Sequence, residues 1–181
     1  TVEEYETLLA NNIEELERIS RMVENILFLA RASDARSVLT ITSIDVSSEI
    51  TRIQEYFEGL AEEREMTLHG QGEGTLHADA ILFQRALSNL VANAVRYGRE
   101  GSAIVLRAEP HAKGMNIRVI SQGEPVPPEK LGKLFDRFYR ADASHCRSDG
   151  GSGIGLAIAQ SIAKLHRGAL LVESDRQTGT A

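Results

Sequence analysis

Apolar residues fall every seven positions at Val2, Leu9, Leu16, Val23 and Ala30, and Tyr5, Asn12, Ile19 and Ile26 fill the complementary positions three residues on. Sustained over more than four heptads, this spacing predicts one long helix over residues 1–33 carrying a coiled-coil seam. Leu8, Ile13, Met22, Leu27 and Leu29 widen the stripe towards that of a helical bundle. A lone helix cannot bury such a face. A partner helix is therefore expected, from a second copy or from sequence preceding Thr1; a helix packed on its own globular domain is the competing reading.

Beyond a polar linker, residues 32–37 (ASDARS), the period changes. Val38 to Ile44 alternates as a strand does, and Asp45 or Ser47 caps a helix carrying Ile50, Ile53, Phe57, Leu60 and Ala61. Met66–His69 and Leu76–Ala78 read as short strands around the glycine-rich turn GQGEG. A helix then starts at Asp79, with Phe83, Ala86, Leu87, Leu90, Ala94 and Val95 at helical spacing, and Gly98 is expected to end it as a left-handed cap. Ala103–Glu109 and Met115–Ser121 form a hairpin across PHAKG. Alternating two-residue and helical periods with a hairpin among them predict an α/β fold in two layers, a mixed sheet with helices covering one face.

Two places in this pattern carry candidate chemistry. Asn89 and Asn93, four apart, project from one side of the central helix amid residues made to pack. An amide oxygen is a hard ligand of the kind Mg²⁺ accepts, so Asn93 is the candidate metal ligand; a solvated polar stripe is the alternative. Further on, Gly123 and Pro125 force a turn after Ser121, and Leu131, Leu134, Phe135 and Phe138 suggest a short helix closing over it. Gly151, Gly153 and Gly155 then open a helix bearing Leu156, Ile158, Ile162 and Leu165, where free N–H groups and the positive helix end attract an anion. No Gly-Lys-Ser/Thr follows, so this is not a Walker loop, and no strand precedes it as a Rossmann unit requires.

Composition narrows the classes. The 181 residues are 42% hydrophobic, enough for one core, and a net charge of −6 gives no broad footprint for nucleic acid. With Cys146 alone no intrachain disulfide forms, which suits a reducing compartment. No run of about 18 apolar residues is present to span a bilayer. Starting inside a heptad pattern without Met, the chain is expected to be a fragment of something longer.

The segments NLVANAVRYG from Asn89, SQGEPVP from Ser121, LFDRFYRAD from Leu134, GGSGIGLAI from Gly150 and DRQTGT from Asp175 together resemble the ATP-binding catalytic domain of sensor histidine kinases. The resemblance covers residues 36–181 and implies the Bergerat-type ATP-binding fold. Residues 1–35 look like the second helix of the family's dimerisation and phosphotransfer hairpin. FDRFYRAD and GEPVPPE look most like heavy-metal sensors for copper or silver. Position by position, the resemblance gives Asn93 the Mg²⁺ contact, Asn89 support of metal or phosphates, and Arg96 a phosphate contact. Tyr97 lies against adenine and Gly123 admits the backbone to the base. Gly151, Gly153, Gly155 and Leu156 wrap the phosphates, and the Thr180 hydroxyl sits near adenine. Arg137 and Arg140 reach the terminal phosphate as a lid from about Tyr139 to Gly150 closes. Phe135 and Phe138 are expected to pack and position that lid, and His145 and Cys146 to be loop residues only.

Two departures bear on mechanism. The family's first glycine box usually begins with an aspartate that accepts the adenine amino group; here Ser121 stands there. Loss of a charged acceptor costs about 1–3 kcal/mol. The phosphoacceptor, a His followed by an acidic residue and Arg-Thr-Pro, does not occur around His69, His77, His111, His145 or His166. Related ATPases also place a water-activating glutamate where Asn89 stands. The expected function is therefore Mg-ATP binding and γ-phosphate transfer to a histidine outside the chain, for relay to a response regulator, with slow hydrolysis at most. The expected setting is the cytoplasmic part of a homodimeric bacterial inner-membrane sensor. A non-catalytic or nucleotide-sensing interaction module is the alternative. The family's last strand is expected to continue past Ala181.

Overall fold

A computed structural model describes residues 1–32, 38–112, 114–140, 153–175 and 179–181. The heptad region forms one helix, α1 (Val2–Ala32), followed by β1 (Ile41–Asp45) and α2 (Val46–Glu62). The strand predicted over 38–44 thus begins later, at Ile41, and runs to the residue before the helix. Asp45 occupies the N-cap position of α2, yet its carboxylate takes the hydroxyls of Ser47 and Ser48 rather than a backbone N–H. Val46, Ile50, Ile53, Phe57 and Ala61 form the buried face of α2; Leu60, predicted to join them, is exposed, lying one position round the helix from the stripe.

Next come β2 (Thr67–Gly72), β3 (Thr75–Asp79), α3 (Ala80–Tyr97), β4 (Ala103–His111) and β5 (Gly114–Ser121). Although β2 and β3 flank one turn, they do not pair. β2 runs parallel to β4, from Thr67↔Ala103 to Gly72↔Ala108, while β3 pairs antiparallel with β1. The predicted hairpin is present, with β4 and β5 antiparallel from Ile104↔Ser121 to His111↔Gly114. Two two-residue strands, β6 (Ser174–Asp175) and β7 (Gly179–Thr180), follow α4 (Pro128–Leu131) and α5 (Gly155–Leu165). They complete a five-stranded mixed sheet in the order β2-β4-β5-β7-β6.

One core lies between this sheet and the helices. Ile104, Leu106 and Ala108 of β4 point into it with Met115, Ile117 and Val119 of β5, against α2 and the Phe83, Leu87, Val91, Ala94 and Val95 stripe of α3. Arg107 and Glu109, on alternate positions, face solvent, the two-residue period of a sheet covered on one side. A second cluster joins α5 to α1: Ile154, Ala157, Ile158 and Ile162 pack on Leu29, with Met22, Phe28, Leu82 and Ala86 around them. Two faces of α1 therefore have different fates. Its C-terminal turns dock on the domain, whereas Val2, Tyr5, Leu9, Leu16, Ile19, Val23 and Ile26 along the heptad seam are exposed.

Candidate functional site

The site is built where α3 ends, β5 ends and α5 begins. α3 starts as its sequence dictates: the Asp79 side chain accepts from the Leu82 N–H at 3.2 Å. Its apolar stripe fixes the helix on the sheet, and this rotation leaves Asn89, Asn93 and Tyr97 in one row at four-residue spacing.

The two asparagines differ. Asn89 Nδ2 donates to the Arg85 carbonyl at 2.8 Å, and its Oδ1 lies against the first residue of α5, so close that a Cβ on Gly155 would stand 2.9 Å from it. Gly155 is thereby required by packing as well as by an open helix start. Asn93 is half-buried, and among the described residues its amide makes no hydrogen bond. Tyr97, one turn on, is half-exposed, and the Arg96 guanidinium lies 5.7 Å from its ring centroid.

Gly98 does not take the predicted left-handed cap conformation. With φ −65° and ψ 154° it is extended and bridges directly to Gly123. Close approach explains both glycines: a Cβ on Gly98 would meet the Ala94 carbonyl at 2.5 Å, and one on Gly123 the Tyr97 carbonyl at 2.7 Å. Ser121, two residues before Gly123, continues the inward-facing row of Met115, Ile117 and Val119 at its pocket end, and among the described residues nothing hydrogen-bonds its hydroxyl. Thr180 is its cross-strand neighbour on β7. The Thr180 hydroxyl is bonded to Ser174 Oγ at 2.8 Å, and Ser174 Oγ accepts the Val126 N–H at 2.9 Å. Ser174 has no signal in the sequence, since a two-residue strand shows no period.

Just before α5, Ile154 is fully buried and Gly153 has φ +65°. The Gly153 carbonyl accepts the Phe138 N–H at 3.0 Å, which clasps the start of α5 to the end of the FDRFYR stretch. Phe138 itself has φ +65° and is exposed, which corrects its expected packing role; the Gly153 clasp holds its backbone while its ring faces solvent. The helix predicted through Phe138 is only the four residues of α4, with turns after it. Phe135 is half-buried and, with Arg137, borders an open depression of about 360 Å³ against Ala157, Gln160 and Lys164 of α5. Arg140 is exposed. Gly151, His145, Cys146 and most of the expected lid lie outside the described residues.

Asn89 of α3 thus meets Gly155 at the start of α5, and Tyr97 and Gly98 at the end of α3 meet Gly123 after β5, so that the row Asn89, Asn93 and Tyr97 runs from one contact to the other. Positive helix-end charge and free N–H groups at one end, and an aromatic ring with close-packed glycines at the other, suit a ligand with an anionic tail and a flat base. Among the described residues no group of three His, Cys, Asp or Glu is placed to hold a metal, so a cation here needs ligands from an amide and from the bound anion itself.

Residues 78–181 match the family model of the histidine kinase-, DNA gyrase B-, and HSP90-like ATPases. The chain is 41% identical over 165 residues to the sensor protein CzcS of Cupriavidus metallidurans, covering 91% of this chain and 35% of that protein. It is equally 41% identical over 173 residues to the sensor histidine kinase CusS of Escherichia coli O6:H1, covering 95% and 36%. It spans little more than a third of the length of these relatives. In fold, it matches the crystal structure of full-length ShkA in complex with AMPPNP at a TM-score of 0.81 and 23% identity, over 92% of this chain and 35% of that one. With the family model spanning more than half of its residues, the chain belongs to the histidine kinase-, DNA gyrase B- and HSP90-like ATPases, and the sensor histidine kinase CusS is among its relatives.

Proposed function

We propose that the chain is the catalytic part of a sensor histidine kinase, binding Mg-ATP between α3, β5 and α5 and passing the γ-phosphate to a histidine on a helix outside it. The observation that carries this reading is the contrast along α3: the Asn89 amide donates to a backbone carbonyl and packs on Gly155, while the half-buried Asn93 amide has no partner among the described residues. A lone hard oxygen donor at the edge of an anion cradle fits Mg²⁺ held partly by phosphates. A Mg²⁺ held there would supply positive charge that stabilises the transferring phosphoryl group.

The residues divide the work. Asn93 is the metal ligand, with Asn89 holding the start of α5 in place. Gly151, Gly153, Gly155 and Leu156 present backbone to the phosphates, and Arg96, Arg137 and Arg140 are their cationic partners. Tyr97 flanks the base, Gly123 admits it, and Ser121 offers it a hydroxyl, with Thr180 oriented beside it by Ser174. No carboxylate stands at position 89, where related ATPases place their water-activating glutamate, so slow ATP hydrolysis is expected. The nucleophile is an imidazole from outside: His166 is engaged by backbone at both ring nitrogens, and no histidine of the chain has a phosphoacceptor context.

We assign residues 1–35 to the dimerisation and phosphotransfer bundle and 36–181 to the catalytic domain. The exposed seam of α1 supports a helical partner in a homodimer. Relay to a response regulator from the cytoplasmic side of a bacterial inner membrane belongs to the same reading, whose kinase part is supported by the likeness to the sensor histidine kinase CusS. A copper or silver signal fits the heavy-metal wording of the sequence and belongs to a sensing domain elsewhere. The test is calorimetric titration with a non-hydrolysable ATP analogue. Binding that depends on Mg²⁺ and is abolished in Asn93→Ala supports the reading; a folded wild-type chain that binds nothing sinks it in favour of a non-catalytic interaction module.

A further inference from the structure

We propose that Arg64 is a positioning residue of the nucleotide pocket, acting through the C-terminus of α3; the proposal rests on the pocket reading above. A helix that ends without a left-handed residue leaves its last carbonyls in need of partners. At the end of α3 the Gly98 N–H serves the Ala94 carbonyl, but the Arg99 N–H turns away to the Gln122 carbonyl and the Gly101 N–H to the Arg64 carbonyl. The next two helical carbonyls, of Val95 and Arg96, are instead taken by one guanidinium nitrogen of Arg64, the latter at 2.6 Å. Its other terminal nitrogen lies 3.5 Å from Glu100, and its side chain is only 30% exposed.

Arg64 stands in the turn that closes α2, where the Met66 N–H reaches the Ala61 carbonyl and Glu65 adopts φ +55°. The turn therefore aims a cation at the negative end of α3, where helix dipole and hydrogen bonding add. Its consequence is geometric. Because Arg64 caps the helix from outside, Gly98 is free to leave extended and lie against Gly123, which brings Tyr97 and the Ser121–Gly123 turn together. Among the described residues the Arg64 side chain makes no hydrogen bond to Tyr97 or to the Ser121–Gly123 turn, and its action on the pocket passes through the carbonyls of Val95 and Arg96.

The experiment compares wild type, Arg64→Met and Arg64→Gln by calorimetric titration with a non-hydrolysable ATP analogue, with and without Mg²⁺, and by the amide NMR signals of Gly98 and Gly123. Arg64→Met is expected to shift both glycine signals and weaken binding about tenfold, with the ratio of affinities with and without Mg²⁺ unchanged because the Asn93 end is untouched. Arg64→Gln, which keeps a single donor group, is expected to fall between. Unmoved glycine signals, wild-type affinity, or loss of the Mg²⁺ dependence together with the affinity each overturn the proposal. Should Arg64→Met fail to fold, Arg64→Gln with Glu100→Ala decides it on the same readouts. A wild-type chain that binds no nucleotide refutes the pocket reading itself and with it the role of Arg64 in binding, whereas the glycine signals still report its hold on α3.

Discussion

The imidazole Nε2 of His166, just past α5, accepts the backbone N–H of Asp79 at 3.0 Å, across 87 residues of sequence. Its Nδ1 lies 2.9 Å from the Ile162 carbonyl, so the partners assign the hydrogen to Nδ1 and leave Nε2 as acceptor. One side chain thereby joins the end of α5 to the start of α3, the two helices that carry Gly155 and Asn93. His166→Leu takes the acceptor from the Asp79 N–H, while the Ile162 carbonyl keeps the backbone N–H of residue 166, and is expected to destabilise the chain by about 1–3 kcal/mol. Urea denaturation measures it; a change within a few tenths of a kcal/mol would show that water replaces the ring at no cost.

Gly153 and Phe138 face each other through one hydrogen bond, and both have φ +65°. Gly153→Ala would set a Cβ 2.9 Å from Phe138 backbone in a conformation that alanine resists. Opening of the clasp is expected to weaken nucleotide binding tenfold or more, read by the titration used above. Phe138→Asn has the opposite sign for stability. An exposed aromatic loses little burial, and asparagine tolerates this conformation, so a gain of up to about 1 kcal/mol is expected in urea.

What the sequence made legible follows from the range of each interaction. The Asp79 cap, the α3 stripe, the β4–β5 hairpin and α5 were readable because their determinants lie within a few residues of one another. A glycine after a helix signals a left-handed cap and a close approach alike, and at Gly98 only the Gly123 bridge, 25 positions away, decides for the latter. The partners of β2 and β3 are tertiary choices that no turn residue announces. Phe138 was expected to pack because aromatics usually do, but the Gly153 clasp fixes its backbone with the ring outward. On α3 the four-residue spacing of Asn89 and Asn93 is legible in the sequence, whereas which of the two packs on Gly155 is not, since that depends on the approach of α5. Arg64 was invisible, its targets lying more than 30 residues on.

Asp45 offers a prediction in pH. Hydrogen bonds from Ser48, the larger cause, and from Ser47 hold its carboxyl below its ordinary value of 3.8. A folded-state pKa below the unfolded one means a stability contribution that is full above the unfolded value and is lost as pH falls through the folded value. In Asp45→Asn the stability curve is therefore expected to fall less steeply below about pH 4, with no change in its shape near neutrality. An NMR titration of the Asp45 carboxyl should show its midpoint rise more in Ser48→Ala than in Ser47→Ala; equal midpoints in all three proteins would remove the hydroxyls as the cause.

The two faces of α1 can be separated by substitution. Leu29 is 3% exposed against Ile154, Ile158 and Ile162, and beside it Asn25 accepts from Arg85 at 2.7 Å while the Arg85 guanidinium lies 4.4 Å from the Phe28 ring centroid. Leu29→Ala removes the centre of that contact and is expected to cost about 2–3 kcal/mol of docking, read as faster hydrogen exchange in the last two turns of α1. Leu9 and Leu16 are 60% and 66% exposed, so the pair Leu9→Ser and Leu16→Ser should leave the folded domain within about 0.5 kcal/mol of wild type. If the heptad seam mates with a second copy, the same pair abolishes self-association in sedimentation equilibrium, while Leu29→Ala retains it. Association unchanged by the Leu9 and Leu16 substitutions would rule the seam out as the interface and leave the docked face of α1 as its one packing surface among the described residues.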